Sequence, residues 1–438
     1  MTLEMTGLQS EAIRTSIAGG RVLTAAGGFA DSTLVIADGR IAAIEAAESS
    51  PANGTGNGPG KGPGPGPGRA SMASLDQGGV VHWRADGLLV VPGVVDLHGD
   101  AYERQLMPRP GVAFDHAQAL ADTDQQLLAA GITTAYYGVT CSWEPGLRSQ
   151  DAVRDFLGAW RQRCSRLASD SRLHLRHELH NLEAVEDVLA WIDEGMIDLL
   201  SFNDHLPLIR ERISDPQKAL KYTARAGIPR EVLTRRLEAA AVRAAEIPAA
   251  LGRLTTAARE RGIPMASHDD PTPVARARYD ALGCTICEFP VDAATAAAAN
   301  ALHNPVVLGA PNVVRSGSHT GRLAAAPAIR RGLCTVLASD YSFPCLLRAP
   351  FLLAAAGVLP LADAWRLVST HPAAAVGLGD RGTLAPGRRA DILLVDAGEP
   401  LYPRVVAVFI AGRLVRFAAQ AGAVEGDVLN ICNGSGAE

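Results

Sequence analysis

The chain has 438 residues, 47% hydrophobic and 20% charged, so it can bury a large core and is not disordered as a whole. A formal net charge of -5 speaks against a broad nucleic-acid face, which needs clustered basic side chains. No apolar run reaches the ~18 residues that span a bilayer, and Met1 to Ser16 lacks the charged and apolar regions of a signal peptide, so neither a membrane nor a nucleic-acid partner is expected and the cytoplasm is the expected location.

Ile13 to Ala47 reads as short strands punctuated by Gly and Asp-Gly turns. A Gly/Pro repeat follows between Pro51 and Arg69 and should be a solvated loop; it is no phosphate loop, because Lys61 precedes Gly62 rather than Ser or Thr. Leu88 to Val95 reads as a buried strand that stops on Asp96-Leu97-His98-Gly99-Asp100. Side chains two apart on a strand share a face, so His98 and Asp100 form a chelating pair.

The same pattern recurs downstream. Leu173 to Glu178 closes on Arg176-His177-Glu178, Ile197 to Phe202 on Asn203-Asp204-His205, Ile263 to Ser267 on His268-Asp269-Asp270, and Thr335 to Ser339 on Asp340-Tyr341. Gly131 to Val139, Cys284 to Phe289 and Val306 to Ala310 are strand-like without an evident ligand, which makes eight strands. Helical stretches such as Ala117 to Ala130 and Arg230 to Glu260 separate them, and alternation of this kind predicts an α/β fold, a (β/α)8 TIM-type barrel with its chemistry at the strand ends. The connection from Leu206 to Leu251 is long enough for extra helices on that face. Gly382 to Arg416 again reads as short strands, and neither end of the chain has enough of them for a stable sheet alone. A small β-sandwich domain built from both ends is therefore expected: 1–92 (with 51–69 as the insert) and 380–419 around a barrel of 93–379, then a loose tail, 420–438. The seven cysteines are odd in number and irregularly spaced, and Cys284 and Cys287 read as buried strand residues rather than half a zinc site.

The ordered set Pro92-Gly93-Val94-Val95-Asp96-Leu97-His98-Gly99-Asp100, Pro108-Arg109-Pro110, His174-Leu175-Arg176-His177-Glu178-Leu179, Ala266-Ser267-His268-Asp269-Asp270, Gly309 to Arg315 with Ser318-His319, and Ser339-Asp340-Tyr341 resembles the amidohydrolase superfamily in its phosphonate-metabolism (PhnM) branch. The resemblance spans about Ile17 to Val415. Most superfamily members open on His-x-His, and the Asp100 variant points to this branch. Many use a carboxylated lysine as a bridge; the only lysines here, Lys61, Lys218 and Lys221, lie at no barrel strand end, and Glu178 is the natural substitute.

What the resemblance implies is a hydrolase with two divalent ions, zinc first, manganese or iron next: His98, Asp100 and Asp340 on one, His205 and His268 on the other, Glu178 between them. Asp340 would also take the proton of the attacking water. The implied reaction cleaves α-D-ribose 1-methylphosphonate 5-triphosphate to the 5-phosphate and pyrophosphate. A relative acting on another phosphorylated sugar or on a C–N bond is the alternative, and a catalytically dead scaffold a lesser one. The partner is then a small phosphorylated sugar phosphonate, and a homo-oligomer is compatible with the sequence. For its phosphates the sequence offers Arg109, stiffened by two prolines, and Arg315 with Ser318 and His319 in the loop after the seventh strand. Asp269 and Asp270 stand open between metal, ribose hydroxyls and a turn cap.

Overall fold

The computed structural model describes residues 14–46, 70–76, 79–317 and 323–418. They fall into two compact units, 1–92 with 383–438, and 93–382. The Gly/Pro insert of 51–69, the tail from Gln420, and Ser318 and His319 lie outside the described residues.

The first unit is a curled mixed sheet. Its strands are β1 (Arg14–Ala18), β2 (Arg21–Leu23), β3 (Phe29–Ala37), β4 (Arg40–Ala46), β5 (Ser71–Leu75), β6 (Val80–Arg84) and β7 (Leu89–Pro92), joined by three from the far end of the chain, Ile392–Asp396, Arg404–Ile410 and Arg413–Phe417. The Asp38-Gly39 turn joins β3 to β4 with both residues at positive φ, 51° and 73°, the twist a two-residue hairpin needs. Strand β3 serves two layers: Phe29 to Asp31 pair with β2, while Leu34 to Ile36 pair with β1. Folding the sheet over at β3 brings Ile17, Leu34, Ile36, Val90, Ile392 and Phe409 into one apolar core. The small β domain built from both ends of the chain is thus one continuous curled sheet, folded over at a strand that both of its layers share.

The second unit is a parallel eight-stranded barrel: β8 (Val94–Gly99), β9 (Ile132–Cys141), β10 (Asp170–Glu178), β11 (Leu199–Asn203), β12 (Met265–His268), β13 (Cys284–Glu288), β14 (Val306–Gly309) and β15 (Val336–Ala338), each paired with the next. A single bridge, Gly99 to Asp340, links the last strand end to the first. Val95, Leu199, Ala266, Ile286, Val307 and Val336 pack together as an apolar layer. The run read as one strand from Leu88 to Val95 is two: Leu89–Pro92 pairs in the first unit, Val94–Gly99 in the barrel. Gly93 lies between them, and a Cβ there would overlap the Thr133 hydroxyl, so only glycine passes.

Helices between the strands start where the sequence supplies caps. Asp115 accepts from the N–H groups of Ala117 and Gln118 at the start of His116–Ala129, and Thr272 caps Pro273–Ala281. The segment read as one helix over Arg230 to Glu260 is two, Arg230–Val242 and Ile247–Glu260, parted by a short 3₁₀ turn. Helices Leu206–Ile213, Pro216–Ala226 and Arg230–Val242 share an apolar cluster that includes Ile209, Tyr222 and Leu233, so the long connection has a core of its own.

Candidate metal centre

Strand ends bring the chelating residues together because parallel strands all finish on the same face. His98 is 1% exposed, and its ring lies 5.4 Å from that of His268, which in turn lies 5.3 Å from that of His205. Asp269 stands against both of the latter, 3.6 Å from His205 Nε2 and 3.6 Å from His268 Nδ1. Glu178 accepts from His205 Nδ1 at 2.5 Å and from its backbone N–H at 3.2 Å. Two three-donor groups result among the described residues, His205 with His268 and Asp269, and His98 with His268 and Glu288.

Asp100 is held by cations: Arg176 Nη1 donates to its Oδ2 at 3.3 Å and Arg148 Nη2 lies 3.7 Å from the same oxygen. Arg176 also reaches His268 Nε2 at 3.3 Å. Its Cδ lies 3.4 Å from where a Cβ on Gly138 would be, so glycine on β9 makes room for the stem. Asp340 is clamped by its backbone, its N–H donating to the His98 carbonyl at 2.8 Å and its carbonyl accepting from Asp100 N–H at 3.0 Å. Its φ of 54° is left-handed, a strained conformation for a residue with a Cβ, held by those two bonds.

Electrostatics sort these groups. Burial holds the His98 and His268 rings well below the usual imidazole range, so both are neutral and keep a lone pair for a metal. Burial opposes ionisation of both members of the Glu178–His205 pair, yet their mutual attraction prevails, leaving Glu178 at about 2 and His205 at about 9. Burial first, then the Asp100 carboxylate, push Asp340 up to about 7.

The donor set fits a metal. His268 Nδ1 is buried without a hydrogen-bond partner, an arrangement that is costly unless a ligand completes it. Imidazoles mixed with carboxylates suit zinc, manganese or iron, and His205 would give up the proton it shares with Glu178 on taking a metal.

Three residues stand differently from expectation. Asp270 does not face the site: it is fully buried, bonded to Ser267 Oγ at 2.8 Å and to Arg276 at 3.1 Å, so the proposed contact with substrate gives way to an internal ion pair. Glu288 and Arg176 are the residues that the sequence reading left without a role. Glu288 ends the strand Cys284–Glu288 as Glu178 ends its own, and the apolar Phe289 that follows masks this strand end in the sequence.

On the rim, Arg315 is exposed and donates to the Tyr341 hydroxyl at 3.3 Å, and Arg104 donates to the Tyr341 carbonyl. Arg109 is exposed in a tight turn closed by Val112 N–H on its carbonyl at 3.0 Å. A cavity of about 360 Å³, lined among others by Trp143, Gln150, His180, Asn181 and Arg236, opens between the loops after β9 and β10 and the helix Arg230–Val242.

The amidohydrolase family model matches residues 171–422. The α-D-ribose 1-methylphosphonate 5-triphosphate diphosphatase of Escherichia coli strain K12 is 31% identical over 316 residues, 70% of this chain and 83% of that protein. The chain belongs to the amidohydrolase family. Within it, the phosphonate branch is the one indicated by that relative, and hydrolysis is the reaction class. An adenine deaminase of Methylobacterium nodulans is 52% identical over 66 residues, 15% of this chain and 11% of that protein. Among solved structures, the N-acetylglucosamine-6-phosphate deacetylase of Pasteurella multocida aligns with a TM-score of 0.58 at 12% identity, over 92% of this chain and 99% of that one. A zinc-bound adenosine deaminase of Xanthomonas campestris aligns with a TM-score of 0.55 at 14% identity, over 91% and 92%. These two likenesses concern the fold alone.

Proposed function

We propose that this protein hydrolyses α-D-ribose 1-methylphosphonate 5-triphosphate to the 5-phosphate and pyrophosphate. The observation that carries this is the extent of the likeness to the Escherichia coli diphosphatase, 83% of that protein, against 11% for the adenine deaminase. The substrate is a small phosphorylated sugar, and the metal is zinc in the first instance, two ions per chain.

His205, His268 and Asp269, whose donor atoms converge, would hold one ion, and on the family resemblance His98, Asp100 and Asp340 would hold the other, with Glu178, bonded to His205, as the remaining carboxylate. When bound, two such ions supply positive charge for the attacking and leaving oxygens of an in-line displacement. Asp340 takes the proton of the attacking water on its carboxylate, a role that suits a buried carboxyl raised towards neutrality. Arg176 and Arg148 keep Asp100 ionised and fixed. Arg315 receives phosphate oxygens at the rim, with Arg109, Ser318 and His319 as further contacts.

Incubating the metal-replete protein with the triphosphate and following phosphorus NMR tests the reading. Pyrophosphate and one sugar phosphate are expected, with oxygen-18 from solvent on the 5-phosphate for attack at the α-phosphorus. The second reading, hydrolysis of a C–N bond, rests on the local identity to adenine deaminase; ammonia release from adenine without pyrophosphate formation would select it.

A further inference from the structure

Glu288 is fully buried, and its carboxylate bonds to a histidine: His98 Nδ1 lies 3.2 Å from its Oε1. A carboxylate accepts, so Nδ1 is the protonated nitrogen and the lone pair of the ring is on Nε2. Three rings pin the plane of His98, those of His174, His268 and Phe289, at 5.2, 5.4 and 5.1 Å.

Depth separates Glu288 from the donors nearer the mouth. The side chains of Asp100, His205 and Asp269 are 16%, 19% and 13% exposed, whereas that of Glu288 is at 0% and so is its neighbour His174, 3.7 Å away. His174 is itself tied into the strands, donating from Nδ1 to the Leu97 carbonyl at 3.0 Å and accepting from Ser201 Oγ at 2.8 Å. Glu288 is therefore buried with His98 and His174, deeper than Asp100, His205 and Asp269, and His174 beside it is bonded on both ring nitrogens.

We propose that Glu288 is the positioning residue of the metal centre: its carboxylate fixes the tautomer and orientation of His98 and turns His98 Nε2 towards the ion. This rests on the metal-centre reading above but not on the identity of the substrate. A buried carboxylate on the far nitrogen of a ligating imidazole makes the near nitrogen more basic and removes the entropy cost of orienting the ring. The competing role is direct ligation, since Glu288, His98 and His268 bring donor atoms within 4.8 Å of one another.

Metal titration of the full-length apoprotein separates the two, using zinc against a competing chelator to read affinity and stoichiometry. E288A is expected to bind as many ions at saturation as the unaltered protein, with each affected site weakened about 10–100-fold, the usual consequence of losing such a partner. E288Q keeps an acceptor oxygen for His98 Nδ1 and should recover most of that affinity. H98A gives the reference for a lost ligand. A missing metal equivalent in both Glu288 variants that excess zinc does not restore would overturn positioning in favour of ligation. Unchanged zinc affinity in E288A, with only a lower Tm, would overturn it in favour of a packing role. Where E288A does not fold, E288Q decides alone, by full stoichiometry or by a lost equivalent. If the unaltered protein takes up no zinc, manganese or iron, the metal-centre reading fails and this proposal with it, whereas pyrophosphate assays bear only on the substrate.

Discussion

The curled sheet and the rim of the barrel both bury charged side chains, yet they deal with that charge in different ways. In the sheet the interior is Ile17, Leu34, Ile36, Ile392 and Phe409, and the buried carboxylates Asp391 and Asp396 are each paired, with Arg389 at 3.0 Å and Arg404 at 2.7 Å. In the rim, His98, Arg176, Glu178 and Glu288 are all at most 3% exposed, Glu178 and Glu288 bond to imidazoles rather than to arginines, and His268 Nδ1 has no hydrogen-bond partner. Apolar packing would stabilise the rim better than buried ions do. Concentrated, incompletely paired charge is what a chain keeps when the missing partner is a ligand.

The sharpest way to break the contrast is Asp340→Asn, which removes a ligand and the proton acceptor together. Turnover of the triphosphate should fall by about 10²–10⁴-fold, the range for loss of general acid–base catalysis, with the protein still folded by circular dichroism. Turnover within tenfold of normal would show that the rim is not the reacting centre.

Phe409→Ala makes the opposite demand. Phe409 is 1% exposed and meets Trp83 edge-on at 5.8 Å, so truncation should cost about 3–5 kcal/mol in urea unfolding of the first unit. Metal content at low temperature should not change, and a loss there would mean that the sheet is not merely structural.

Removing the metal tests the rim from the side of stability. A ligand at a hundred times its Kd stabilises by about 2.7 kcal/mol, so chelation should lower Tm and added zinc should restore it. A Tm indifferent to chelation would leave the buried charges without their partner.

Smaller still is Arg315→Ala, exposed on the rim. KM for the triphosphate should rise about tenfold, near 1.4 kcal/mol, with metal content intact. Equal loss of metal would place Arg315 in the centre rather than at the phosphates. Deleting residues 54–68, a Gly/Pro-rich stretch of the sequence, should matter least, because a twofold change in the length of a connection alters its closure cost by only about 0.6 kcal/mol. A shift in Tm of several degrees, or a drop in turnover, would make the segment more than a spacer.

Much of this was legible in the chain, and the misreadings have physical causes. Period-two alternation and strand-end carboxylates announce His98, Glu178, His268 and Asp340, because a parallel strand must end on one face of its barrel. Glu288 escaped since a boundary error of one residue turns a strand end into a strand interior. Asp270 looked like Asp269 in sequence, but Asp269 has a positive φ of 62°, which sends adjacent side chains to different sides, one to the histidines and one to Arg276. Leu88 to Val95 looked like one strand because burial continues through Gly93, and hydrophobicity does not reveal which sheet a residue joins.

The sequence by itself determined the local terms: which runs form strands, which turns take Asp-Gly, which side chains can hold a metal and that lysine cannot bridge them. These follow from spacing and residue chemistry over a few positions. Only the tertiary structure decided the partnerships, Arg176 with Asp100 across 76 residues and Glu288 with His98 across 190, because contacts between strand ends depend on barrel register and depth, which no local pattern encodes.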